Sequence, residues 1–159
     1  MKDATCTREK NNVTLHGKRG EMTGGGVLAG RPAGGSATVL VVDDNQGVRI
    51  RAADALKGLG YTVLEAENGF SALALAASWR GAIDVVLADI IMPYLNGIEF
   101  VERLKAVRND FRVLYMSTHL NDLIPNHKCW ADEAHFIWKP FTAADLVRKI
   151  GDLVAEGTR

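Results

Sequence analysis

With 159 residues, 47% of them apolar and 24% charged, the chain suits one globular domain. Its mean hydropathy of −0.01 excludes wholly disordered, collagen-like and membrane-spanning classes. Nineteen basic residues balance nineteen acidic ones, which removes the electrostatic case for a nucleic-acid or membrane partner.

Residues 1–37 hold eight of the sixteen glycines and no aromatic ring. Such a stretch buries too little apolar area to offset its ordering entropy, so a flexible Gly-rich tail is expected there. The folded unit is expected over 38–156, with 157–159 as the C-terminal end. Gly24-Gly25-Gly26 loosely matches a dinucleotide fingerprint, but no strand precedes it, and a linker is the simpler reading. Cys6 and Cys129 form no paired motif and no apolar leader opens the chain, so a reducing, cytoplasmic setting is expected.

Val39–Val42 is an apolar, β-branched run of the kind buried on both faces of a sheet. Val48, Ala52, Leu56 and Leu59 then recur at helical spacing up to Gly60. The alternation continues with a strand at Thr62–Ala66, a helix at Phe70–Trp79, a strand at Ile83–Ala88 and a helix at Ile98–Val107. A strand at Arg112–Met116, an ambiguous segment interrupted by Pro125, and a strand at His135–Trp138 follow. A last helix starts from Thr142 as N-cap, with Leu146, Ile150, Leu153 and Val154 as its apolar stripe. This order predicts an α/β fold, a doubly wound five-stranded parallel sheet with helices on both faces.

Ligands of such sheets bind beyond the carboxyl ends of the strands. Strand one ends in Asp43-Asp44, strand three in Asp89, strand four in Ser117-Thr118, and strand five in Lys139-Pro140. Three carboxylates brought together repel unless a cation sits among them, and oxygen ligands of this kind suit Mg²⁺. Lys139 and Ser117 supply the charge and the donor that a phosphoryl group needs. The array reads as a phosphoryl acceptor in which an aspartate is the nucleophile. Spacing alone leaves open which one, although Asp89, standing singly between the acidic pair and the lysine strand, is best placed.

The segments Val-Leu-Val-Val-Asp43-Asp44-Asn, Asp89-Ile-Ile-Met-Pro93-Tyr-Leu-Asn-Gly97, Val-Leu-Tyr-Met-Ser117 and Lys139-Pro140-Phe resemble the signature segments of receiver domains of two-component response regulators. Steps of 45, 28 and 22 residues separate Asp44, Asp89, Ser117 and Lys139. The resemblance covers residues 38 to about 156 and implies a flavodoxin-like fold of the receiver type. The Val-Leu-Tyr-Met-Ser segment is most similar to receivers carried by hybrid sensor histidine kinases.

The resemblance implies that Asp89 takes a phosphoryl group from the phosphohistidine of a sensor histidine kinase or phosphotransfer protein. Asp44, Asp89 and the Ile91 carbonyl would hold Mg²⁺ directly, with Asp43 acting through a water. Lys139 would pair with Asp89 or its phosphate, the Lys139–Pro140 bond would be cis, and Ser117 would swing to the phosphate. Thr118 replaces a smaller residue at that pocket. Phe136 would be the switch aromatic, passing the change to an effector through the surface of the fourth helix, fifth strand and closing helix. An apolar Ile91 would hinder water and slow self-dephosphorylation. Such a module is not an enzyme beyond intrinsic autophosphorylation and autodephosphorylation. With the chain ending soon after the closing helix, an output domain is not expected, which would suit a free-standing receiver or a piece of a hybrid kinase. Homodimerisation is left open.

Other readings fit less well. A Mg²⁺-dependent phosphatase of the haloacid dehalogenase kind needs an acid two residues after its nucleophile, where this chain has Ile91 or Asn45. In a flavodoxin, Asp43-Asp44 would repel the flavin phosphate. His119, His127, Cys129 and His135 match no familiar zinc spacing, and Trp79, Trp130 and Trp138 read as packing residues.

Overall fold

A computed structural model describes residues 37–118 and 135–156. Expectations that fall on the Gly-rich tail, on Pro125, and on His119, His127, Cys129 and Trp130 lie outside the described residues.

Continuous apolar runs become the interior strands. β1 (Thr38–Val42) and β3 (Val85–Asp89) are buried along their whole length, with unbroken apolar runs at Val39–Val42 and Val85–Ala88. β2 (Thr62–Ala66), β4 (Arg112–Ser117) and β5 (His135–Trp138) complete a parallel sheet in the order β2-β1-β3-β4-β5. The chain runs from β1 outward to β2 and then returns to the opposite side of β1 with β3. The direction of winding therefore reverses between β1 and β3, and the crevice at their carboxyl ends is the expected ligand position.

The described helices are α1 (Gln46–Lys57), α2 (Gly69–Ser78), α3 (Gly97–Lys105) and the closing helix α4 (Ala143–Glu156). Asparagines start the first three: Asn45, Asn68 and Asn96 each accept the backbone N–H three residues on. Thr142 starts α4, its Oγ1 accepting the Asp145 N–H at 3.1 Å and donating to the Asp145 carboxylate at 2.6 Å. α1 and α4 cover one face of the sheet, over Val39, Val41, Leu87, Leu114 and Met116. α2 and α3 cover the other, over Leu40, Val42, Val86 and Tyr115.

Several boundaries differ from the sequence reading. Ala37, just ahead of β1, is buried and its carbonyl accepts the Thr62 N–H. β3 begins at Val85 rather than Ile83, because Asp84 caps the foot of the sheet by accepting the Thr38 N–H at 2.7 Å. α1 ends at Lys57, and Leu59 is 60% exposed rather than part of the apolar stripe. The chain leaves the helix at Gly58 and turns through Gly60, whose φ of +83° favours glycine. Trp138, expected to be a packing residue, is half exposed on β5, the edge strand among the described strands.

Candidate functional site

Register assembles the site before any side chain is considered. Val42 lies beside Ala88, so Asp43 and Asp89 leave adjacent strands side by side. Ser117 lies beside Trp138, so Thr118 and Lys139 leave the next pair together. The Lys139 N–H donates to the Ser117 carbonyl at 2.8 Å, and the Lys139–Pro140 bond is cis.

The lysine reaches across β4 to the middle of the sheet. Its Nζ donates to Asp43 Oδ2 at 2.6 Å and to Asp89 Oδ2 at 2.8 Å. Asp43 is fully buried, and its Oδ1 accepts the Asn45 N–H at 2.8 Å. Asp44 is exposed, and Asp89 Oδ1 accepts the Ile91 N–H at 3.1 Å.

Carboxylate oxygens of Asp43, Asp44 and Asp89 all lie within 4.8 Å of one another. One ammonium faces this cluster, and the electrostatics record the imbalance. Burial pushes the Asp89 carboxyl above its ordinary 3.8, and the neighbouring Asp43 adds to the rise. The hydrogen bonds from Lys139 and Ile91 oppose it without cancelling it. Burial also works against the Lys139 ammonium, but its hydrogen bonds to Asp43 and Asp89 prevail and hold it above 10.5. A hard divalent cation is the charge that this set of oxygens fits.

A cavity of about 890 Å³ opens onto the cluster. Asp44, Asp89, Ile91, Thr118, Lys139 and Pro140 line its polar end, and Val48, Ala52, Ala55, Phe141 and Leu146 form an apolar wall between α1 and α4. Ser117 is buried beneath Thr118, which is exposed. Phe136 lies half-buried on the α2–α3 face, its ring centroid 5.6 Å from that of Tyr115. Burial pushes the Tyr115 hydroxyl up to about 12, so it stays protonated throughout the neutral range.

Two features were not anticipated from the sequence. Arg49 Nη1 donates to the Asp43 carbonyl at 2.7 Å and pins the acidic pair from α1. Its only trace in the sequence is a basic residue six positions after Asp43, at a helical step from the cap. Tyr94 holds a φ of +69° and is 92% exposed, a strained backbone in the loop after Asp89.

A parallel sheet wound on both sides of β1, with an acidic cluster and a lysine at its switch point, defines a flavodoxin-like fold with a charged site at its carboxyl edge. The chain belongs to the response regulator receiver domain family, matching it over residues 39–151. It is 35% identical to sporulation initiation phosphotransferase F of Bacillus subtilis over 109 residues, 68% of this chain and 86% of that protein. It is 31% identical to sensor kinase CckA of Brucella abortus over 120 residues, 76% of this chain but 13% of the kinase. Among solved structures, the chemotaxis protein CheY4 of Vibrio cholerae superposes with a TM-score of 0.64 at 30% identity, covering 75% of this chain and 99% of that one.

The chain is thus a receiver domain of the two-component kind, similar to receivers of hybrid kinases. Receivers bind Mg²⁺ at an acidic pocket and interact with histidine kinases or phosphotransfer proteins and with effectors. Among the described residues, no helix is long and apolar enough to cross a membrane.

Proposed function

We propose that Asp89 is the phosphoryl acceptor of a cytoplasmic phosphorelay, with residues 38–156 as the receiver unit. A carboxylate oxygen of Asp89 attacks the phosphorus of a phosphohistidine, the P–N bond breaks, and the imidazole leaves with the bonding electrons. The product is an acyl phosphate on Asp89. The observation that carries this reading is the Lys139 ammonium, held at 2.6 and 2.8 Å between Asp43 and Asp89 at the mouth of the cavity.

Asp44, Asp89 and the Ile91 carbonyl are the residues that would hold Mg²⁺, with Asp43 acting through a water. When bound, the ion neutralises the carboxylates and attracts the phosphoryl oxygens, which the acidic cluster alone would repel. Lys139 stays with Asp89 and meets the arriving charge. Ser117 and Thr118 donate to the phosphoryl oxygens from the end of β4. The cavity wall of Val48, Ala52, Phe141 and Leu146 receives apolar side chains of the histidine-bearing donor, because Asp89 is reached through that opening.

Movement of Ser117 toward the phosphate alters the space beside Phe136, whose ring repacks on Tyr115. That repacking carries the signal to an effector at β5 and the elements flanking it. Ile91, half exposed at the cavity mouth, shields the acyl phosphate from water and gives slow self-dephosphorylation, so a half-life of seconds would contradict this assignment.

Acetyl phosphate with Mg²⁺ tests the reading without a partner protein. The expected result is the gain of one phosphoryl group per chain, removed by hydroxylamine and absent in Asp89→Asn. Undiminished labelling of Asp89→Asn would discard the assignment.

A further inference from the structure

Gly97 opens α3, is buried, and donates its N–H to the Ile90 carbonyl at 3.0 Å. A Cβ at this position would overlap the carbonyl oxygen of Asp89 and would lie 2.9 Å from the Asp89 carbonyl carbon and 3.1 Å from the Ile90 Cα. These are main-chain atoms, and a planar peptide has no rotamer by which to step aside.

The other crowded or twisted glycines have different reasons. Gly60 has a positive φ and open space around it. At Gly69 an added Cβ would meet Leu95 side-chain atoms at 2.8 and 3.1 Å, and a leucine can change rotamer. Gly97 does not adopt a positive φ. Its requirement is for the absence of a side chain, not for a special turn.

The peptide that Gly97 touches belongs to Asp89 itself, and Ile91, whose N–H donates to Asp89 Oδ1, follows directly. Asp44 and Lys139 follow other strands, β1 and β5. A shift of the Asp89–Ile90 peptide would therefore move the acceptor carboxylate relative to the groups it must work with. We propose that Gly97 is a positioning residue, seating the Asp89–Ile90 peptide against the start of α3 so that the acceptor carboxylate faces Asp44 and Lys139. This rests on the assignment of Asp89 and its neighbours as the Mg²⁺ and phosphoryl site.

The test compares Gly97→Ala with Gly69→Ala in the full chain. Mg²⁺ affinity is read by tryptophan fluorescence and corrected for the folded fraction measured by circular dichroism. Gly97→Ala is expected to weaken Mg²⁺ binding about tenfold or more, the scale seen when groups that support a metal ligand are disturbed. Labelling by acetyl phosphate should slow in parallel. Gly69→Ala, even with a comparable loss of thermal midpoint, should keep its Mg²⁺ affinity. Wild-type Mg²⁺ affinity in folded Gly97→Ala, or equal losses in both variants, would overturn the proposal. Should Gly97→Ala not fold, Asn96→Ala loosens the same turn without a clash by removing the cap on the Glu99 N–H. That variant must then weaken Mg²⁺ binding measurably, and unchanged affinity overturns the proposal. A wild-type protein that takes no label on Asp89 would instead overturn the acceptor assignment beneath it.

Discussion

The two ends of the sheet are built on opposite electrostatic rules. At the amino ends, charged groups serve as terminators and sit in or near water: Asp84 accepts the Thr38 N–H, Arg112 donates to the Glu156 carbonyl at 3.2 Å, and His135 lies 3.8 Å from Glu156 with both side chains about half exposed. At the carboxyl ends, Asp43 and Asp89 are buried beside each other and share one ammonium. Surface pairs of the first kind contribute little to stability, whereas partly satisfied buried charges are costly. A fold selected for stability alone has no use for the second arrangement.

The sharpest way to break this comparison is Asp89→Asn, expected to abolish acetyl phosphate labelling while leaving the circular dichroism spectrum intact. Next is Lys139→Met. Removing the shared ammonium leaves two buried carboxylates without their cation, and a loss of about 3 kcal/mol is expected in metal-free urea unfolding, partly restored by Mg²⁺. Asp44→Asn should weaken Mg²⁺ binding by about tenfold in a fluorescence titration, with little change in stability, because this carboxylate is exposed.

A pH series sharpens the same contrast. The Asp89 carboxyl is raised above 3.8 in the fold, so the folded chain holds that proton more tightly than the unfolded one. The associated stability is present below the unfolded pKa and is lost as pH rises through the raised folded value. Without Mg²⁺, Asp89→Asn should therefore be more stable than wild type at pH 7, seen as a higher thermal midpoint. The gap should narrow on acidification. A wild type more stable than Asp89→Asn at pH 7 without Mg²⁺ would contradict the burial cause. The smallest effect belongs to the other end of the sheet: Asp84→Ala should cost about 1 kcal/mol by releasing the Thr38 N–H, with Mg²⁺ binding unchanged.

How far the sequence reached follows the same physics. Strands announce themselves as short β-branched runs, and both Thr62–Ala66 and His135–Trp138 coincide with β2 and β5. Strand ends in a parallel sheet share one edge, so Asp43, Asp44, Asp89, Ser117 and Lys139 could be grouped before any coordinates. What periodicity does not carry is how residues sit across the sheet or how closely backbones approach. Trp138 looks like a core residue until its strand proves to be an edge. Lys139 gives no sign that it joins Asp43 as well as Asp89. Gly97 looks like turn punctuation until its crowding against the Asp89 carbonyl is measured.

Lys139 also bears on how the sheet is laced. Among the described strands β5 is peripheral and bonds to β4, yet the side chain of Lys139, just past its tip, stretches over that neighbour to Asp89 at the end of β3 and Asp43 after β1. The outermost strand is thereby tethered to the two innermost by one flexible aliphatic stem. Whatever draws that amine toward a new anion tugs a border of the molecule directly, with no hinge or domain rotation required.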